Sequence, residues 1–149
     1  MNMFIYCTRD QLIPLIVLAG LGQLALAAVS LAIPRVLGWK EQTARLGTLT
    51  RQVFWTYAGY IFTINVCFGL LSTLHPAWLL TAAPLTTAVD AFIAAYWLAR
   101  LLLQLFYFDR KSAPIGIAAR LADLLLTVAF AGFGVVYTAA ALFTEGWRL

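Results

Sequence analysis

The sequence predicts an all-α integral membrane protein, a bundle of four transmembrane helices with short connectors, forming a single domain over residues 1–149. Two observations carry that prediction. No Asp, Glu, Lys or Arg occurs in residues 11–34, 52–89 or 124–144, and the mean hydropathy of the chain is +0.89. At about 1.5 Å rise per residue, stretches of that length match a hydrocarbon core of roughly 30 Å, and they are too uniform for surface helices of a water-soluble domain. The second observation is where the positive charge falls. Eight of the ten Lys and Arg residues lie between Arg35 and Arg120, most of them in two short connectors.

The first span is expected over about 12–33. Pro14 falls in its first turn, where a missing N–H costs nothing, and Gln23 is its one amide at membrane depth. Gly20, Gly22, Ala25, Ala28 and Ala32 recur at helical spacing and predict a small-residue stripe for close helix contact. The connector that follows carries Arg35, Lys40, Arg45 and Arg51 against Glu41. Its Leu37, Trp39, Leu46 and Leu49 suggest a segment lying at the interface rather than a free loop. A cleavable leader is not expected, because the first apolar stretch is too long and its basic flank comes after it.

The second span is expected over about 53–74 and closes at His75-Pro76, since the residue before proline avoids the helical region. An uncharged loop follows, with Trp78 placed for the headgroup level. The third span, about 84–108, begins at Pro84, a favourable first helical position. The second connector carries Arg110 and Lys111 against Asp109. The fourth span is expected over about 115–143, with Gly132 and Gly134 as close-approach positions. The two halves do not match each other well enough for an inverted-repeat transporter.

Charge also gives an orientation. By the positive-inside rule both basic connectors are expected in the cytoplasm, with both termini and the His75 loop outside, in a bacterial-type inner or plasma membrane. Aromatic residues agree with two belts: Trp39, Trp55, Tyr57, Tyr107 and Phe108 on one side, Tyr6, Trp78 and Trp147 on the other.

Several functions are excluded or demoted by composition. Positive charge confined to connectors is topogenic, so no nucleic-acid partner is expected. Cys7 and Cys67 are too few for a disulfide framework, and Cys67 reads as a small apolar residue within a span. With His75 the only histidine, neither a bis-histidine haem nor a histidine-rich metal site is expected, and no cofactor is implied.

Function should show in the polar groups held within the spans, because such groups are costly in hydrocarbon unless paired or wetted. Asp90, Trp97, Arg100 and Gln104 project from one face of the third span, so that face must point into the bundle or at a partner. Asp123 lies at a depth close to that of Arg100, and an Arg100–Asp123 ion pair is the simplest expected arrangement, structural rather than catalytic. Snorkelling of Arg100 to the headgroups is the alternative. On the second span, Arg51, Trp55, Ala58, Phe62, Asn65, Gly69 and Ser72 share one face.

The candidate ligand-binding residues are Asn65, Ser72, His75, Thr87, Asp90, Tyr96 and Trp97, around the outer half of the cleft between the second and third spans. Asp90 would orient a polar headgroup while a tail lies along Phe62, Tyr96 and Trp97. Catalytic residues are not identifiable, and His75 before a proline reads better as a helix terminator than as a base. The sequence thus points to a small accessory or structural subunit, or a binder of a hydrophobic, lipid-like ligand. Its expected partners are membrane lipids, a hydrophobic small molecule, and a partner protein or further copies of itself. An integral-membrane enzyme on a lipidic substrate and an oligomeric transporter or channel are the alternatives.

Overall fold

The computed structural model describes residues 8–107 and 116–144, and among these it is all-helical, with no strand. Four helices are long and apolar enough to cross a membrane. The second basic connector and both chain ends lie outside the described residues, and with them the expected anchors Tyr6, Phe108 and Trp147 and the thiol of Cys7.

Helix α1 runs Arg9–Ser30. The Gln11 side chain reaches back to accept from the Thr8 N–H at 3.2 Å, and Asp10 in the first turn faces the positive end of the helix. The first connector is not a free loop. It folds into two short helices, α2 (Ile33–Val36) and α3 (Trp39–Ala44), hinged at Gly38. Gly38 has φ +59°, the left-handed conformation that a side chain would strain. Gln42 Nε2 donates to the Leu37 carbonyl at 2.8 Å and braces that hinge.

Helix α4 runs Thr48–Leu74, starting before the expected span because Thr48–Gln52 simply extend it. It stops where expected, ahead of His75-Pro76. A single 3₁₀ turn, Trp78–Leu80, then folds Leu79 and Leu80 back onto the ends of the next two helices, where both are buried. Helix α5 is Pro84–Leu102 and ends in a π-helical turn, Leu103–Tyr107. Helix α6 is Ile117–Thr144.

Neighbouring helices run antiparallel. The backbones of α1 and α4 pack closely, as do those of α5 and α6, and α1 touches α6. The order around the bundle is therefore α4–α1–α6–α5. The remaining seam, between α4 and α5, is bridged by side chains: Phe68 meets Phe92 and Tyr96 edge-on at 6.0 and 5.4 Å. The core is aromatic on one side. Trp97 is fully buried, 4.7 Å from the Phe133 ring and 5.4 Å from Phe130. Outward, the surface is apolar, with Leu85 77% and Phe106 81% exposed. A continuous apolar surface of that kind suits lipid or partners rather than water, and side-chain fit rather than transfer from water must then hold the helices together.

The small-residue stripe of α1 is only partly a contact surface. Gly20 is buried, but Ala25, Ala28 and Ala32 face outward. The inward face is Leu12, Ile16, Ala19, Gly20, Gln23 and Ala27, and Ala25 lies five residues past Gly20, well around the helix from it. Of the two glycines expected at close approach in α6, Gly134 faces Leu98 with no room for a methyl, whereas Gly132 faces open space. Cys67 faces outward.

Candidate functional site: a polar node shared by four helices

Each long helix contributes one fully buried polar side chain to the interior: Gln23 from α1, Ser72 from α4, Asp90 from α5 and Tyr137 from α6. Each sits on its helix's inward face by simple 3.6-residue spacing: Ala19–Gln23–Ala27, Asn65–Gly69–Ser72, Asp90–Ile93–Ala94–Trp97 and Phe130–Phe133–Tyr137–Ala140. Gly20 lets α1 come against Ser72 and Thr73.

Tyr137 is the hub. Its hydroxyl accepts from Gln23 Nε2 at 2.7 Å and shares a 2.5 Å hydrogen bond with Ser72 Oγ. Asp90 lies within Coulombic reach of that hydroxyl. Neither of its carboxyl oxygens has a hydrogen-bond partner among the described residues, and the same holds for Gln23 Oε1, Thr73 Oγ1 and Trp97 Nε1. Buried polar atoms are nearly always paired, so five such atoms facing the interior of a small bundle stand out. Gln23 Oε1 is a pure acceptor, and the Asp90 carboxyl offers an acceptor oxygen in either protonation state. The node is thus suited to receive a hydrogen-bond donor such as a hydroxyl or an amine.

The other expected site residues divide into separate pairs. The Tyr96 hydroxyl donates to Asn65 Oδ1 at 2.9 Å across the α4–α5 seam. Thr87 donates to Thr144 at 2.8 Å, nearer the end of the bundle where α1 begins. His75 is exposed and stacks on Trp78, ring centroids 3.9 Å apart and planes 9° from parallel. Trp97 is wedged among Tyr96, Phe130 and Phe133, with its ring inside the core rather than along a cleft. Of the aromatic residues at the start of α4, Trp55 packs with Trp39 and Phe54, while Tyr57 and Tyr60 face outward.

Arg100 and Asp123 are not joined by an ion pair in the described residues. Asp123 Oδ1 accepts from Gln104 Nε2 at 2.5 Å, one turn further along α5, and the Arg100 guanidinium lies 5.6 Å over the Phe130 ring. A guanidinium on an aromatic face keeps favourable electrostatics without a carboxylate.

Tyr137 and Thr144 are absent from the sequence-derived set, and Gln23 appears there only as a lone amide. A tyrosine near the end of a span looks like an interfacial anchor. The usable signal is its position four residues after Phe133 and seven after Phe130, on the same stripe. No family model matches this chain, and no curated protein or solved structure matches it either.

Proposed function

We propose that the chain is a four-span integral membrane protein, basic connectors in the cytoplasm and both termini outside, that holds an amphiphile with a hydrogen-bond-donating headgroup. The carrying observation is the fully buried Asp90 carboxyl, without a hydrogen-bond partner among the described residues, beside a seam bridged by side chains. Phe68, Phe92 and Tyr96 form the seam. Rotamer changes of these rings would admit a headgroup from the lipid side without separating helix backbones. Gln23 Oε1 and Thr73 Oγ1 supply further partners, and the tail would lie along Phe68 and Phe92. Binding is favoured over catalysis because the Tyr137 and Ser72 hydroxyls and Gln23 Nε2 are engaged with one another, and His75 stands apart on Trp78.

Asp90→Asn keeps the shape but replaces one carboxyl oxygen with an amide NH2 that cannot accept. A hydrogen bond contributes about 0.5–1.5 kcal/mol, so bound amphiphile should fall about two- to tenfold at equal helicity and thermal stability. Native mass spectrometry of protein extracted in mild detergent reads this directly. Unchanged retention in both Asp90→Asn and Asp90→Ala would mean that the ligand, if any, sits elsewhere.

Orientation has its own test. In a background lacking Cys7 and Cys67, single cysteines replacing the exposed Ala44 and Ala82 are probed in intact cells with an impermeant thiol reagent. Position 82 should react and position 44 should react only after permeabilisation. The reverse pattern inverts the topology.

A subunit role for the same chain is the second reading. Helix α4 is the least covered of the four, and its outward face carries Tyr57, Tyr60, Thr63 and Cys67.

A further inference from the structure

At the opposite end of the bundle from the Asp90 node, the first connector closes a cleft of about 590 Å³ lined by Leu31, Pro34, Arg35, Lys40, Glu41 and Trp55. Its construction is firm. Trp39 meets Phe54 and Trp55 edge-on at 5.1 and 6.2 Å, which fixes α3 against the start of α4. The Gly38 hinge places Arg35, at the end of α2, and Lys40, at the start of α3, on the same cleft. Within the described residues neither cation is held in an ion pair, although Glu41 lines the cleft with them.

We propose that this cleft binds the headgroup of an anionic glycerophospholipid, its phosphate held by Arg35 and Lys40 and its headgroup hydroxyls donating to Glu41. Three features select that occupant. Two unpaired cations against one carboxylate leave the cleft net positive, which complements a phosphate ester and disfavours a cationic ligand. Leu31, Pro34 and Trp55 give it an apolar wall continuous with the outward faces of α1 and α4, where acyl chains would lie. Its volume is within the range of small-molecule sites, and a tryptophan beside basic side chains is the composition of a membrane–water boundary. The proposal rests on the membrane-spanning reading, but not on Asp90.

The test must separate a built site from the general attraction of basic connectors for anionic lipid. Protein is reconstituted into nanodiscs of phosphatidylcholine with a minor fraction of phosphatidylglycerol, released, and weighed with its retained lipid by native mass spectrometry. The wild type should retain phosphatidylglycerol over phosphatidylcholine by about tenfold relative to the bilayer ratio. Arg35→Gln with Lys40→Gln should abolish the preference. Arg45→Gln with Arg51→Gln removes the same charge from the same end of the bundle, after α3 and in the first turn of α4, outside the cleft lining, and should keep it. All four side chains are on or near the surface, so helicity by circular dichroism should be unchanged.

An equal loss in both double variants, or a preference that survives the Arg35 and Lys40 changes, would overturn the site. Glycerol 3-phosphate and inorganic phosphate are added in parallel and should not displace the lipid. If either does so, the cleft takes a soluble phosphate compound and the lipid assignment is wrong. Failure to enter nanodiscs would sink the membrane reading and this site together, whereas entry without preference would sink this site alone.

Discussion

Gly20→Ala is expected to be among the most damaging single-methyl additions in the chain. A Cβ there would sit 2.6 Å from Thr73 Oγ1, 2.9 Å from Ser72 Cβ and 2.9 Å from the Thr73 backbone nitrogen. The hydroxyl could rotate away, but the other two atoms belong to or adjoin the α4 backbone. Helix α1 must therefore move, and moving it draws Gln23 off Tyr137. Overpacking of this kind costs roughly 1–3 kcal/mol. Gly69→Ala, across the same crossing, mainly meets the flexible end of Leu24, with the Gly20 carbonyl oxygen 3.1 Å away, and should cost less. Gly59→Ala and Gly132→Ala face open space and serve as controls, neutral or slightly stabilising. Unfolding in mixed micelles titrated with a denaturing detergent ranks the four. A Gly20→Ala variant as stable as Gly59→Ala would show that the α1–α4 crossing is looser than described.

Tyr137→Phe should have the second large effect. It removes one oxygen and strands two fully buried groups, the Gln23 amide and the Ser72 hydroxyl. Leaving a buried polar group unsatisfied costs about 1–3 kcal/mol, and interhelical hydrogen bonds in membranes measure toward the lower end of that range. The expected loss is about 2 kcal/mol. The diagnostic is the cycle with Gln23→Leu. Once the amide is gone, Tyr137→Phe should cost distinctly less, because only Ser72 remains to be stranded. Strict additivity of the two changes would mean that Gln23 and Tyr137 do not share a hydrogen bond.

The four long helices were legible because charge-free length is a physical requirement of spanning hydrocarbon, and it leaves a mark in one dimension. The inward faces of α4 and α5 were legible for a similar reason: Asn65, Gly69 and Ser72, or Asp90 and Trp97, stand out against Leu and Phe at helical spacing. Partner choice was not legible. Arg100 and Asp123 are expected at close depths, yet Asp123 meets Gln104, since hydrogen-bonding geometry depends on the rotation of α5 about its axis and on its π-helical turn at Leu103–Tyr107. Spacing rules assume a regular helix and cannot supply either. The same limit hid Tyr137, whose role depends on which helix lies opposite. For α1, small residues alone did not reveal the contact face, because in lipid a small residue is equally at home outside.

Gln23 and Tyr137 are separated by 114 residues, so the first long helix is completed by the last. At roughly 5–20 residues per second of synthesis, the Gln23 amide waits about 6–23 s for its acceptor. By then α1 and α4 can already be assembled, since their contact needs nothing downstream. The growing chain thus passes through a half-built stage in which the Gln23 amide, buried in the finished bundle, has no Tyr137 to donate to. Arrival of α6 supplies that acceptor, so the interior of the bundle closes only when its fourth long helix is in place.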